Sequence, residues 1–513
     1  MIYNVRDYGC RGDGVTLDSP AIQAAIDDCA EQGGGKVVIP AGRYLVGKMV
    51  LKDHVTIEIA EGAYLTASPN REDYPASPGF PDSLYNQGFD LGDPIRAERL
   101  GLFYACGAKN IGIIGRGTID GNDKAFLVKN ARPTGNTPRA ISRDQNIDRY
   151  FASGPDFKFR IMTVFFENCE DIVIDGINFR SCSCYTVQLR SSTQIRITNI
   201  TIRNYILSDN ADGIHFSSCT DVRISNCDLE CGDDCIAIDT NDMRPSRFFA
   251  IQNCAFVSRN NCFRIFSNLA VEDDKRRLVG VGQVSDIAIS NCVVKDASSF
   301  VYINADCCEI KRISVTNASG RIIRQGTTFL ITAHNSKVRQ VTFSNWNFSS
   351  RGVGYIYADR PDSIKGVKLI DLDIEVNPTT QLYGNGLYMP TAPNGRPQYW
   401  YSHYVPYFLQ MVEADDVLVR DLRVRWGETD IDDIGQIEAP RGWPAPLAKE
   451  PHWPAIWAER IGKLVLDTVD AEAFGDHDCT VRLDAVKGAK LRDCSFGSDA
   501  VLADENCTDI VIG

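Results

Sequence analysis

Short runs of alternating apolar and polar residues recur along this chain in one phrase. NCEDIVIDGINF begins at Asn168, STQIRITNITI at Ser192, CTDVRISNCDL at Cys219 and VSDIAISNCVV at Val284, and the phrase returns as SKVRQVTFSNWNF, SIKGVKLIDLDI, ADDVLVRDLRV, VKGAKLRDCSF and NCTDIVI. The first apolar residue of each strand-like run falls at Ile172, Ile195, Val222, Phe249, Ile287, Ile313, Val341 and Val367, at intervals of 23, 27, 27, 38, 26, 28 and 26. A unit of roughly 21 to 28 residues with two or three short strands and no helical half buries its apolar face only by stacking on copies of itself. The pattern predicts an all-β fold, a right-handed parallel β-helix (solenoid) with a short N-terminal capping helix, as a single domain over residues 1–513. An up-and-down sheet would show hairpin turns, and a leucine-rich repeat would show Leu-x-x-Leu-x-Leu.

Asparagines occupy one position of the phrase, Asn199, Asn226, Asn253, Asn291, Asn317 and Asn345. They stand where the chain must turn, and are expected to stack as a ladder of side-chain amides. The next residue is Ile200, Cys227, Cys254, Cys292, Ala318 or Trp346, so cysteines in this column read as core thiols rather than metal ligands. In the first ~50 residues, DSPAIQAAIDDCAEQGGGKVVIPAGRYLVG predicts an Asp or Ser N-cap, a helix from about Pro20 to Glu31, a glycine stop and a strand. This segment would cap the stack. Residues 51–513 then form coils, with long loops expected near 67–100, 122–160, 267–283 and 376–410. The aromatic stretch GLYMPTAPNGRPQYWYSHYVPYF fits a sugar-stacking wall or plain packing.

Composition narrows the partners. With 44% hydrophobic and 24% charged residues the chain can bury a large core, and its net charge of −13 argues against nucleic acid or an anionic membrane as main partner. No run approaches the ~18 apolar residues that cross a bilayer. The opening MIYNVRDYGC runs directly into strand-like sequence, so a cytoplasmic protein is the expectation, with export after signal removal as the alternative.

Against this periodic background, three carboxylates need a reason. Placed in register, Asp212 and Asp234 fall at the same position of successive coils, with Ile214 over Ile236 and Phe216 over Ile238, and Asp233 sits beside Asp234. Successive rungs lie about 4.8 Å apart, so the three share one side of the stack. Carboxylates this close push at least one pKa up, which lets one stay protonated while a neighbour is ionised: a general acid and a general base. Asn-x-Asp-Gly and Gly-Asp-Asp are also good turn chemistry, as Asp120-Gly121 and Asp175-Gly176 illustrate, but ordinary turns would match this joint register only by chance.

The element Asn210-Ala211-Asp212-Gly213-Ile214-His215, followed 21 residues on by Gly232-Asp233-Asp234-Cys235-Ile236-Ala237-Ile238, resembles the core of the polygalacturonase-type family 28 glycoside hydrolases. The opening from Asn4 to Gly47 and GRGTIDGN at 115–122 are similar to that family too, so the resemblance covers roughly residues 3 to 305. It implies hydrolysis of a glycosidic bond with inversion, Asp233 protonating the leaving oxygen while Asp212 and Asp234 hold and activate water, and no cofactor or metal. Adjacent rungs would set two carboxyls at about the 5 Å that signals retention. The resemblance points to inversion, because three carboxylates share the water.

Two motifs of the family differ here. Gly-His-Gly is replaced by Arg259-Asn260-Asn261 and Arg-Ile-Lys by Tyr302-Ile303-Asn304. The expected substrate is therefore an oligosaccharide or polysaccharide other than ordinary galacturonan. If Met1 is a true start, the chains are already imported, and exo-action on short ones is expected. Strand alternation places His215, Ala237, Arg264 and Tyr302 in one outward column and Ser217, Asp239, Phe266 and Asn304 in the next. Substrate contacts are expected from Asn210, His215, Asp239, Asn260, Arg264, Tyr302 and Asn304. A β-helix lyase or epimerase using Ca²⁺ is one alternative, with Arg264 a poor base for it. A non-catalytic glycan-binding β-helix is the other.

Overall fold

The computed structural model describes residues 1–79, 98–129, 150–151, 159–206, 208, 210–240, 244–267, 282–306, 308–322, 326–377, 407–428, 454–475, 479–497 and 501–513. The loops expected near 67–100, 122–160, 267–283 and 376–410, with most of the aromatic stretch before Phe408, lie largely outside these residues. The chain divides into two compact units, Met1–Thr137 with Asn146–Arg259, and a second that contains Asn260–Gly513. In each, short parallel strands pair rung on rung, and the chain is a right-handed parallel β-helix.

The first unit opens on the expected helix, α1, Ser19–Glu31, which buries Ile22, Ala25, Ile26 and Cys29. Its start differs from the expectation in one respect. Asp18 stands at the N-cap but makes no capping bond; its carboxylate accepts from Arg11 N (2.7 Å) and Gly12 N (2.9 Å) instead. The Ser19 hydroxyl accepts from Gly47 N at 3.0 Å. Both side chains tie the helix to the chain beside it, and Gly33 and Gly34, at φ 90° and 104°, turn the backbone into the next strand.

The coils follow the predicted register. Ile172 pairs with Ile195, Ile195 with Val222 and Val222 with Phe249, all with inward side chains. Each such side chain, removed from water by the rungs on either side, contributes about 1.5–3 kcal/mol. In the second unit Ile287, Ile313, Val341 and Val367 do the same. An aromatic cluster fills the core there: Phe343 stacks on Trp346 at 4.6 Å between ring centroids and Phe300 meets Trp346 edge-on at 5.3 Å. The Trp346 indole donates to Val315 O at 3.2 Å.

The asparagine ladder is present in both units. Asn199, Asn226 and Asn253 have φ between 56° and 57°, and each amide reaches the one before it, Asn226 to Asn199 at 3.4 Å and Asn253 to Asn226 at 3.5 Å. Asn345 donates to Asn317 at 2.7 Å and Asn317 to Asn291 at 3.0 Å. Cys227, Cys254 and Cys292 beside them are buried cysteines, each thiol directed at the carbonyl two residues earlier. A second left-handed column was not anticipated. It runs through Asp171, Gln194, Asp221 and Phe248, at φ 56°, 57°, 56° and 64°, one residue before the inward apolar side chain.

The strands that position the site form one ladder in the first unit: β1, Gly101–Cys106; β2, Met162–Glu167; β3, Val187–Arg190; β4, Ile214–Ser217; and β5, Ile236–Asp239. Phe103, Val164, Val187, Ile214 and Ile236 stack inward. The outward columns are Tyr104, Phe165, Gln188, His215, Ala237 and Cys106, Glu167, Arg190, Ser217, Asp239.

Phe248 is the one phenylalanine in a left-handed column that also holds, in this unit, His54, Asn110, Asp171, Gln194 and Asp221, and it is 49% exposed. A non-glycine residue held there stores strain of the order of 1 kcal/mol, least for asparagine. The exposed Arg247 guanidinium 5.1 Å from the ring offsets this by under about 1 kcal/mol. Phe248→Asn is therefore expected to raise stability by up to about 1 kcal/mol, read as a higher thermal midpoint; a lower midpoint would mean that the ring's contacts outweigh the strain.

Candidate active site

Two glycines bring the acidic turns together. A Cβ on Gly213 would lie 2.4 Å from Cys235 O and 2.9 Å from Cys231 Sγ, and one on Gly232 would lie 2.3 Å from Ser208 O. Neither position admits a side chain, so the backbones of successive rungs close up where the carboxylates sit. Gly213 N donates to Asp234 O and Ile214 N to Cys235 O, both at 2.9 Å. The Asp212 carbonyl accepts from Thr186 N at 3.0 Å and from the Thr186 hydroxyl at 2.9 Å. On the other side the Ser258 hydroxyl donates to Asp233 O at 2.8 Å.

Reading the β3–β4–β5 register back two residues places Tyr185, Asp212 and Asp234 in one column. Asp212 and Asp234 are thus one rung apart, about 4.8 Å along the stack. Each is 3% exposed, whereas Asp233 is only half-buried. Asn210, in a left-handed turn at φ 55°, places its amide nitrogen 3.5 Å from Asp233 Oδ2, and its Oδ1 accepts from Arg160 Nη1 at 2.9 Å. An arginine therefore stands one side chain away from the half-buried acid.

His215 sits between two carboxylates. Nδ1 is 3.0 Å from Asp212 Oδ2, Nε2 is 2.9 Å from Asp239 Oδ2, and Tyr185 stacks on the ring at 4.4 Å between centroids. Desolvation by burial, the largest single influence, pulls the imidazole down, but the hydrogen bonds and charges of Asp212 and Asp239 together outweigh it and raise the ring from 6.5 to about 9. Asp239 is 1% exposed, and its backbone oxygen accepts from the Ser246 hydroxyl and from Ser218 N. His215 and Asp239 were expected to touch substrate. Both are buried, and the two ring nitrogens face protein carboxylates.

The structure brings together Asn210, Asp212, His215, Asp233, Asp234 and Asp239. The other expected contacts belong to the second unit. There the Arg264 guanidinium lies over the Phe266 ring at 4.5 Å and the Tyr302 ring at 5.7 Å. Tyr302 was expected to offer an open face; it is 3% exposed and clustered with Leu330 and Tyr355. The Asn304 amide donates to Thr332 Oγ1 at 2.9 Å, and Asn260 O accepts from Ser298 N and Ser299 N. Sequence reasoning missed Tyr185 and Arg160. Counting one further coil back from Asp212 would have found Tyr185, but Arg160 precedes β2 outside any repeated position. Among the described residues no group of three or more His, Cys, Asp or Glu side chains is set to hold a metal ion.

Residues 29–257 match the model of Glycosyl hydrolases family 28. Over 261 residues the chain is 28% identical to an exo-poly-alpha-D-galacturonosidase of Dickeya chrysanthemi, across 46% of this chain and 41% of the relative. A stretch of 46 residues, 9% of this chain and 5% of the relative, is 59% identical to a mannuronan C5-epimerase of Azotobacter vinelandii. The chain thus spans well under half the length of these curated relatives. In three dimensions it is similar to a family 28 exopolygalacturonase of Yersinia enterocolitica, with a TM-score of 0.58 at 18% identity over 91% of this chain and 78% of that one, which bears out the parallel β-helix.

The His215 ring holds its proton to about pH 9 when folded, against 6.5 for the free side chain. Its stabilisation is therefore fully present below about pH 6.5 and is lost as pH rises from there to about 9. Over that window the parent is expected to lose on the order of 3 kcal/mol of unfolding free energy from this group, measured by denaturant titration at either end. His215→Gln should be less stable than the parent at the acid end, with the gap narrowing towards the alkaline end.

Proposed function

We propose, from the premise that residues 29–257 are a family 28 glycosyl hydrolase segment, that this chain hydrolyses a glycosidic bond with inversion at the anomeric carbon. One observation carries the reading. Asp212 and Asp234 stand in register on adjacent rungs with Asp233 beside them, and of the three Asp233 alone is appreciably open to solvent.

The division of labour follows from that asymmetry. Asp233, at the accessible edge, gives its proton to the leaving glycosidic oxygen as the bond to the anomeric carbon breaks. Water held by Asp212 and Asp234 attacks that carbon from the opposite face and gives up its proton to the pair. Return of that proton to solvent and reprotonation of Asp233 complete the cycle. A spacing of about 5 Å between two carboxylates suits a covalent nucleophile. In this reading, however, the acid is the third carboxylate and the close pair shares the water.

The substrate we propose is a glycan other than ordinary galacturonan, cut from one end. Asn260 and the Tyr302-Ile303-Asn304 run replace the histidine and the two cations that the family resemblance calls for. Each missing cation withholds a charge-assisted hydrogen bond worth about 1.5–3 kcal/mol to a uronate carboxylate. The short likeness to a mannuronan C5-epimerase favours a second reading, a lyase or epimerase acting at the carbon next to a carboxylate.

A panel of neutral and acidic oligosaccharides, run with the parent and with Asp233→Asn while NMR follows the anomer first formed, tests these statements. The expected result is an inverted product released as a single small sugar, and a loss of about 10²–10⁴-fold in rate in the variant. A retained anomer would remove the water-sharing role of Asp212 and Asp234. Fragments of mixed length would remove exo-action, and best turnover of galacturonan would remove the substrate assignment. Calcium-dependent formation of an unsaturated product would establish the lyase, and binding without turnover a glycan-binding module.

A further inference from the structure

We infer that Asp239 is a positioning residue for the hydrolytic water's carboxylates: it holds the His215 ring, and the ring in turn holds Asp212 in one plane and in its ionised form. The inference deepens the hydrolase reading and rests on it.

The geometry points to a ring that donates both ways. A neutral imidazole carries one N–H and one acceptor nitrogen, yet both nitrogens of His215 face carboxylate oxygens, at 3.0 and 2.9 Å. Two ionised carboxylates require two donors, so with both acids ionised the ring carries both protons, and its charge offsets one of the two buried carboxylates it bridges. Asp212 Oδ2 is committed to Nδ1, which fixes the plane of that carboxylate beside Asp234.

Each element packed against the ring supports this arrangement. From the preceding rung Tyr185 stacks on it, and the neutral Gln188 amide lies under it, donating to His215 O and to Ser217 Oγ, each at 3.3 Å. Arg190 stands on the same rung as Gln188, in register with Ser217 and Glu167, so the neighbouring column also sets a cation next to an acid. The following rung supplies Asp239 and, at the turn, Asp234. Asp239 is anchored in its own right, because its backbone oxygen takes the Ser246 hydroxyl and Ser218 N. With a neutral side chain at 239 the Nε2 proton would lose the carboxylate that holds it, and Asp212 would face a lone pair or a rotated imidazole.

The test uses Asp239→Asn, Asp239→Glu and His215→Gln in the full chain, with two independent readouts. In ¹⁵N-histidine spectra, assigned by the loss of one signal in His215→Gln, the parent's His215 ring is expected to stay doubly protonated through about pH 8, and to give up a proton at lower pH in Asp239→Asn. On the substrate found by the glycan panel, Asp239→Asn is expected to lower kcat by about 10- to 100-fold with KM unchanged, and to move the alkaline limb of the kcat profile to lower pH. Asp239→Glu, which keeps the charge, should recover part of the loss and guards against a variant that merely folds poorly. A raised KM with kcat intact would make these residues substrate contacts and overturn the inference, as would an active parent whose His215 loses its proton near pH 6.5. A correctly folded parent that turns over no glycan would overturn the hydrolase reading and the positioning role together, whatever the ring spectrum shows.

Discussion

Parallel backbone pairing in fixed register, Val187 on Ile214 on Ile236 and Arg190 on Ser217 on Asp239, decides which side chains can meet in the site-bearing unit. In such a stack every residue has one neighbour above and one below at about 4.8 Å, and a slip of one residue would turn every inward side chain outward. Apolar columns gain from this, since like packs on like. Charged columns do not, because an acid in one coil tends to meet an acid in the next. Asp212 over Asp234 is that unfavourable case, and His215 with its second partner Asp239 is the local answer to it. The neighbouring column meets the same problem upstream, where buried Glu167 accepts from Arg99 Nε at 3.2 Å and from the Tyr104 hydroxyl at 2.7 Å, with Arg190 on the next rung.

Burying ions is costly even when they are paired, by several kcal/mol for each before their mutual attraction is counted. An outward face filled with leucine and valine would be the simpler way to stabilise these coils, as the inward face already shows. A buried acid–base chain ending at two carboxylates one rung apart is thus hard to explain as stability alone, and it lies within the residues that match a hydrolase family. Burial pulls the His215 ring down, but the two carboxylates that raise it to about 9 act more strongly in the same low-dielectric surroundings, which also strengthen the ring's hold on Asp212.

How much of this was legible in the sequence depended on whether a feature repeats. The inward apolar positions from Ile172 to Phe249 and from Ile287 to Val367 were readable because each coil restates them, and the asparagine ladder was readable for the same reason. Asp212, Asp233 and Asp234 were readable as an exception standing in register. Burial of the outward face was not. Strand alternation assigns His215, Asp239 and Tyr302 to the outside, which is correct, but it carries no information about what covers that side, so residues expected to meet sugar are 5%, 1% and 3% exposed. The Asp18 cap failed on similar grounds, because its carboxylate had backbone partners at Arg11 and Gly12 that no helical pattern could reveal. Arg160 belongs to no repeated unit, so nothing marked it out.

Where the acids stand within the coil matters as much as that they stand together. Each lies in a turn just before a strand, two positions ahead of Ile214 for Asp212 and of Ile236 for Asp234, so the strand core is unaffected by their charge. The glycines beside them, Gly213 and Gly232, are the points where one rung's backbone touches the next, which leaves the turns little freedom to drift apart. A turn is ordinarily the most variable part of a repeat. Here, hydrogen bonds from Thr186 to the Asp212 carbonyl and from Ser258 to the Asp233 carbonyl pin it from the coils on both sides. The stack therefore lends strand-like rigidity to loop residues, and catalysis by proton transfer depends on that combination of placement tolerance and fixed geometry.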